Sequence, residues 1–144
     1  MRIRPAVLAA IAASLLATAC AALFPTTPEA KFEESQKHYT QSVRWANYAV
    51  AQSFVEPEVR KEFRNRAAEF NGLRFADYRI QSVDMEPDGR SATAHVTYIG
   101  YRSASPVAVA YDEEQHWTYK SGGWLVRPQL AAERMAQPSE ASLF

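Results

Sequence analysis

The chain has 144 residues, with 16 Lys+Arg, 16 Asp+Glu and a formal net charge of zero. With 47% hydrophobic and 12% aromatic residues, it can build the core of one domain, which excludes wholesale disorder. The balanced charge gives no electrostatic reason to expect nucleic-acid or anionic-lipid binding, and the single cysteine excludes an intramolecular disulfide or a cysteine-rich zinc site.

Residues 1–19 have three parts. Arg2 and Arg4 give a positive start, Ala6 to Leu16 form an uncharged apolar run, and Ala17-Thr18-Ala19 precede Cys20. That order reads as a secretory signal peptide. The run is shorter than the ~20 apolar residues of a membrane-spanning helix. Two processing fates follow. Ala17-x-Ala19 suits an ordinary signal peptidase, which would release a soluble chain. The tetrad Ala17-Thr18-Ala19-Cys20, just after Leu15-Leu16, instead resembles the lipobox of bacterial lipoproteins, although Leu is commoner where Ala17 stands. The resemblance implies a diacylglycerol on the Cys20 thiol, cleavage before it, and a fatty acyl group such as palmitate on the new amine. Ala21 stands where Asp retains many such proteins at the inner membrane. Sorting to the periplasmic face of the outer membrane is therefore implied. Without residues 1–19 the chain keeps 14 Lys+Arg against 16 Asp+Glu.

Residues 20–31 then read as the lipidated cysteine and a tether, since 21–31 carry two prolines and no period. A folded domain is expected over 32–128 and a tail over 129–144. From about Glu33 to Phe54, Tyr39, Val43, Ala46, Val50 and Phe54 recur at helical steps. Trp45, Tyr48 and Ala49 widen that stripe. Pro57 opens a second helix with Glu56 and Glu58 beside its positive end. Val59, Phe63, Ala67 and Phe70 form its apolar face, and Asn71-Gly72 ends it.

After Gly72 the period becomes two. Ala76, Tyr78 and Ile80 alternate with polar residues, and the parity slips to Val83 and Met85. That slip predicts a bulge near Gln81-Ser82. Glu86-Pro87-Asp88-Gly89 closes a hairpin. The next strand puts Ala92, Ala94, Val96 and Tyr98 on one face, with Thr93, His95, Thr97, Ile99 and Tyr101 on the other. A third strand spans roughly Val107 to Lys120, and Ser121-Gly122-Gly123 turns into Trp124-Leu125-Val126. Beyond Pro128 only weak helical character remains, over Leu130 to Met135. The expectation is an α+β domain, with an N-terminal helical pair packed on a curved antiparallel sheet of about four strands.

This pattern resembles the nuclear-transport-factor-2-like superfamily of cone-shaped α+β domains, and in particular its small bacterial lipoproteins. The residues that carry the resemblance are Phe70-Asn71-Gly72-Leu73, the hairpin Val83 to Ala94, and Gln115 to Val126 with its Gly-Gly turn and Trp124. The segment before the first long strand is shorter than in the full-sized fold, which leaves a cystatin-like variant open. Fold does not fix function, because that superfamily contains enzymes, binding modules and assembly domains.

Some of its enzymes place an Asp–His pair, or an Asp with tyrosines, in the mouth of the cone. The ingredients here are Asp77, Asp84, His95, Tyr98, Tyr101, Asp112 and His116. His95, Asp77 and Asp112 are the candidates for acid–base work, against the reading that His95 lies on a wet sheet face. His116 alternates with Glu114 and Asp112. A solvated sheet edge explains this as well as a metal would, and His38 sits on the first helix, so no metal is expected. Trp117, Tyr119 and Trp124 read as cross-strand core packing or a ligand slot. Tyr39, Trp45 and Tyr48 surround a helix that must bury two faces, either one on the sheet and one on a partner, or both within a small domain that wraps the helix closely. Tyr98 and Tyr101 join them as candidate ligand- or partner-binding residues. The basic residues Arg60, Lys61, Arg64 and Arg66 alternate with glutamates and read as a solvated face. No Gly-rich phosphate loop, Gly-x-Ser-x-Gly or His-Glu-x-x-His sequence is present, and no cofactor is expected. Three functions remain open: a lipid-anchored binding domain for an envelope protein or small apolar ligand, a small isomerase- or hydrolase-type enzyme using His95 with a nearby Asp, and a structural subunit of an envelope assembly.

Overall fold

Thr27 sets where regular structure begins. Its hydroxyl accepts a hydrogen bond from the Ala30 amide at 3.2 Å, and Pro28 fills the first helical position. The computed structural model describes residues 27–130 and 133–141. The expected signal peptide, Cys20 and the start of the expected tether lie outside the described residues. Helix α1 runs Pro28–Arg44, so the helix starts inside the stretch expected to be tether, because Thr27 caps it there.

The single helix expected from Glu33 to Phe54 is two helices. Ala46 adopts a left-handed φ of 55°, and the Asn47 side chain accepts from the Val50 amide at 3.4 Å to start α2, Tyr48–Phe54. Tyr39 and Val43 keep the buried face. The break turns Ala46 and Val50 outward and buries Ala51 instead. A 3-10 turn at Pro57–Val59 leads into α3, Arg60–Glu69, and Gly72 at φ 79° lets the chain leave the helix.

The strands are β1 Leu73–Met85, β2 Ser91–Arg102, β3 Ala108–Lys120, β4 Gly123–Leu130 and the short β5 Arg134–Met135. They form one antiparallel sheet in the order β1-β2-β3-β4, with β5 pairing β3 where β4 has ended. The expected bulge lies between Ile80 and Ser82, and a second register shift falls between Phe75 and Asp77. The carbonyl of Ala76, inside that second shift, accepts from Arg44 Nε at 3.0 Å and from Arg44 Nη2. The extra bulge lets Phe75 face inward ahead of it, while Tyr78 and Met85 beyond it still pack against the core as the pattern predicts. Leu73 and Phe75 are buried, whereas Ile80 and Val83 are exposed.

The helices cover one face of the sheet. That inner face presents Ala92, Ala94, Val96 and Tyr98 from β2, then Val109, Tyr111 and Trp117 from β3, all buried. Trp117 meets Phe32 and Tyr39 edge-on at 5.8 and 5.7 Å, and Phe70 meets Phe75 and Tyr111 at 5.4 and 5.3 Å. Such pairs contribute ~0.5–1.5 kcal/mol each beyond their buried area. Trp124 Nε1 donates to the Pro28 carbonyl at 2.7 Å, tying β4 to the start of α1. The end of α2 also joins β4: Val55 bridges Val126, and the Glu56 amide donates to the Val126 carbonyl at 2.9 Å.

The tail is not the weak helix expected over Leu130 to Met135. β4 extends to Leu130, β5 follows, and Pro138–Ala141 forms the short helix α4. Arg134 explains the difference. Its guanidinium donates to both oxygens of Asp112 at 2.8 and 3.0 Å and to both oxygens of Glu140 at 2.8 and 2.9 Å. Long-range ion pairing, which no local period reports, holds this segment.

Candidate functional site

A cavity of about 320 Å³ opens between the helices and the β4 side of the sheet. Its apolar wall comes from Val43 of α1, Tyr48 of α2, Val59, and Phe63, Ala67 and Phe70 of α3. The helical stripe that buries α3 against the sheet thus also forms this wall. The rings stay in contact, Tyr48 to Phe63 at 6.5 Å and Tyr48 to Phe70 at 6.0 Å. Pro128 and Leu130 close the strand side, and Glu62, Arg66 and Arg127 supply its remaining charged groups. Arg66 spans the two layers, donating to the Leu130 carbonyl at 3.0 Å and lying 3.8 Å from Glu62. Arg127 is neutralised by Glu56, which it meets at 2.7 Å while Lys120 approaches the same carboxylate at 3.1 Å. Hydrogen bonding by Arg127 holds the Glu56 carboxyl below the usual range.

Glu113 lines this cavity and is almost fully buried. Strand parity places it there: Tyr111, Glu113, Gln115 and Trp117 alternate along the inner face of β3. Its Oε2 accepts from the Tyr39 hydroxyl at 3.2 Å, and its Oε1 accepts from the Tyr98 hydroxyl at 3.2 Å and from Gln115 Nε2 at 2.7 Å. The network extends inward. Gln36 Nε2 donates to Gln115 Oε1 at 3.3 Å and to Thr40 Oγ1 at 3.1 Å, and Trp117 Nε1 donates to Gln115 Oε1 at 3.2 Å. No buried polar side-chain atom lacks a partner among the described residues, as a polar cluster in a low-dielectric core requires.

Burial dominates the electrostatics. It pushes the Glu113 carboxyl from the ordinary 4.5 up to about 7, although its three donors and the field of Arg66 favour ionisation. Burial, reinforced by the adjacent Glu113 charge, lifts the Tyr39 and Tyr98 hydroxyls well above their ordinary value. Tyr48 is raised to about 12 by burial. Glu113 therefore exchanges its proton near neutrality, while its phenol partners remain donors.

The candidate binding residues divide. Tyr39 and Tyr98 are fully buried partners of Glu113, and Tyr48 lines the cavity. Trp45 is 69% exposed, with Arg44 stacked 4.5 Å over its ring, and borders a separate groove between the end of α1 and the start of β1. Tyr101 is half-buried on β2 with outer-face parity. Trp117 and Trp124 are core residues.

The acid–base candidates lie on the outer face and do not line this cavity. His95 is solvent-facing, its nearest acid being Glu114 at 4.0 Å, and His116 lies 2.8 Å from the same glutamate. His95 and Asp112 both border an open outer groove. Asp112, however, is occupied by Arg134 and by the Thr97 hydroxyl at 2.6 Å, and hydrogen bonding to Arg134 holds its carboxyl below the usual range. Asp77 is half-buried on β1 opposite Ile99, and Asp84 is exposed on the same strand. The expected His95–Asp pair in an enclosed mouth is not assembled, because strand parity sends His95 to the solvated face. No group of three or more His, Cys, Asp or Glu able to hold a metal occurs among the described residues.

Sequence reasoning missed Glu113, Gln115 and Arg66 as site residues. The signal for the first two was present, since both sit at even steps between Tyr111 and Trp117.

No protein-family model matches the chain, and no curated protein is similar to it in sequence. Among solved structures, a Ca/calmodulin-dependent kinase II association-like domain from Exiguobacterium sibiricum superposes with a TM-score of 0.60 at 9% identity, covering 81% of this chain and 98% of that one. A SEC-C-motif-containing protein from Rhodopseudomonas palustris reaches 0.49 at 13% identity, over 77% and 80% of the two chains. The intermembrane-space region of the chloroplast protein ARC6 reaches 0.48 at 16% identity, over 75% and 99%. The first likeness shows a shared α+β fold of helices packed on an antiparallel sheet, and nothing about activity.

Proposed function

We propose that this chain is a lipid-anchored periplasmic binding protein of the outer membrane, whose cone-like α+β domain holds a small apolar ligand in the Glu113 cavity. The observation that carries the binding reading is the cavity itself: about 320 Å³, walled by Val43, Tyr48, Phe63 and Phe70, with one buried carboxyl. Small-molecule sites have this composition, mostly apolar with few convergent polar groups. Location rests on the sequence, through the signal-like residues 1–19 and Cys20. No helix among the described residues is long and apolar enough to cross a membrane. Two or more acyl chains on Cys20 would suffice for stable attachment. An envelope-protein partner would then meet a domain held close to the bilayer.

The binding reading is tested by titrating the purified domain with the neutral fluorophore N-phenyl-1-naphthylamine. Saturable enhancement in the wild type, lost in a folded Ala67→Phe variant that fills the cavity, supports it. Equal binding by both overturns it. The anchor is tested separately by feeding cells a fatty-acid analogue: label on the wild type and none on Cys20→Ser is expected, and an unlabelled, soluble wild type contradicts it.

A further inference from the structure

We propose that the Glu113 cavity selects an organic cation, a ligand with an apolar body and a protonated amine or quaternary ammonium head. This rests on the reading of the cavity as a ligand site and names what that ligand must carry. Among the described residues, the donors to Glu113 are all neutral: Tyr39 from α1, Tyr98 from β2 and Gln115 from β3. Three donors converge on the two carboxyl oxygens, an arrangement that suits the ionised form. Yet no Lys, Arg or His lies within ion-pair distance of Glu113 among the described residues. A buried carboxylate without an ion-pair partner is costly, and a cationic ligand supplies one.

The remaining charges around the cavity agree. On α3, Arg66 donates to the Leu130 carbonyl and lies 3.8 Å from Glu62, so its field reaches Glu113 without an ion pair forming. On β4, Arg127 is committed to Glu56. The other titratable group facing the cavity is the Tyr48 phenol of α2. An anionic head would sit against Glu113, while the two guanidiniums near it, Arg66 and Arg127, already face Glu62 and Glu56. A cation would find Glu113 together with the rings of Tyr48, Phe63 and Phe70, which attract positive charge through their faces. Because burial places the Glu113 carboxyl near pH 7, a cation bound there displaces its proton. Binding therefore strengthens as pH rises through that value.

The test uses three ligands of one shape, hexylammonium, hexanol and hexanoate, each displacing N-phenyl-1-naphthylamine at pH 8 and pH 5.5. At pH 8 hexylammonium is expected to bind about tenfold more tightly than hexanol, the size of one charge-assisted hydrogen bond. Hexanoate is expected to bind weakest. The cation preference should collapse at pH 5.5 in the wild type, and at both pH values in Glu113→Gln. Hexanol equal to or better than hexylammonium at pH 8 overturns the cation inference and leaves the apolar site standing, as does hexanoate binding tightest. Failure of the fluorophore itself to bind overturns both readings. The pH comparison keeps the test decisive even if Glu113→Gln does not fold.

Discussion

The Tyr39 hydroxyl, on α1, donates at 3.2 Å to Glu113 on β3, joining the helical layer to the sheet across 74 positions of sequence. Both side chains are buried, so removing the donor leaves the carboxyl short of a partner in a low-dielectric setting. Tyr39→Phe keeps the ring against Trp117 and removes only the donor. Expected is a loss of about 1–3 kcal/mol in urea unfolding, larger at pH 8 than at pH 5 because the donor serves the ionised carboxyl. An equal loss at both pH values would show that Glu113 does not ionise in the folded protein.

Glu113 itself makes stability pH-dependent. Its folded value, about 7, lies above the ordinary 4.5, so the folded state holds the proton more tightly than the unfolded one. The resulting stabilisation is fully present below about pH 4.5 and is lost as pH rises to about 7. Across that window the wild type should lose on the order of 3 kcal/mol relative to Glu113→Gln. Urea midpoints measured at pH 5 and 8 for both proteins check this, and parallel changes in the two would contradict it.

Gly100 is required by a close backbone approach. A Cβ added there would stand 2.4 Å from the Arg74 carbonyl oxygen, beside the bulge between Phe75 and Asp77. Backbone cannot swing aside as a side-chain tip can. Gly100→Ala should destabilise by about 1–3 kcal/mol and shift amide resonances along Leu73–Tyr78. An unchanged thermal midpoint would mean the β1–β2 ladder is looser than its register implies.

Arg134 should govern the C-terminal segment and leave the core alone. Hydrogen bonding by Arg134 holds the Asp112 and Glu140 carboxyls below their usual range. Their contribution is present above the ordinary carboxylate values and is lost as pH falls through the depressed ones. The ion pairs are partly solvated, so Arg134→Gln is expected to cost about 1 kcal/mol or less globally. Hydrogen exchange should accelerate over 133–141 while β2 stays protected. Uniform acceleration across the sheet would refute that division.

The inner face of β2 was legible because Ala92, Ala94, Val96 and Tyr98 obey a period of two without interruption. The bulge near Gln81 was legible for the same reason, as a slip in parity. The break at Ala46 was not, because the apolar steps continue through Val50 while Asn47 restarts the helix by a local hydrogen bond. Glu113 hid between Asp112 and Glu114, where an acidic run reads as a solvated edge. Only its parity with Tyr111 and Trp117 separates it from its neighbours. The Arg134 clasp depends on partners 22 and 6 positions away, beyond any local pattern.

Methyl-resolved NMR during titration with hexylammonium at pH 8 places the ligand most directly. Saturable shifts are predicted for the methyls of Val43, Val59, Ala67 and Leu130, which line the cavity, together with movement of the Glu113 carboxyl resonance. Shifts confined to Ile80 and Val83 on the exposed part of β1, or none at saturating ligand, would contradict the assignment of the Glu113 cavity as the binding site.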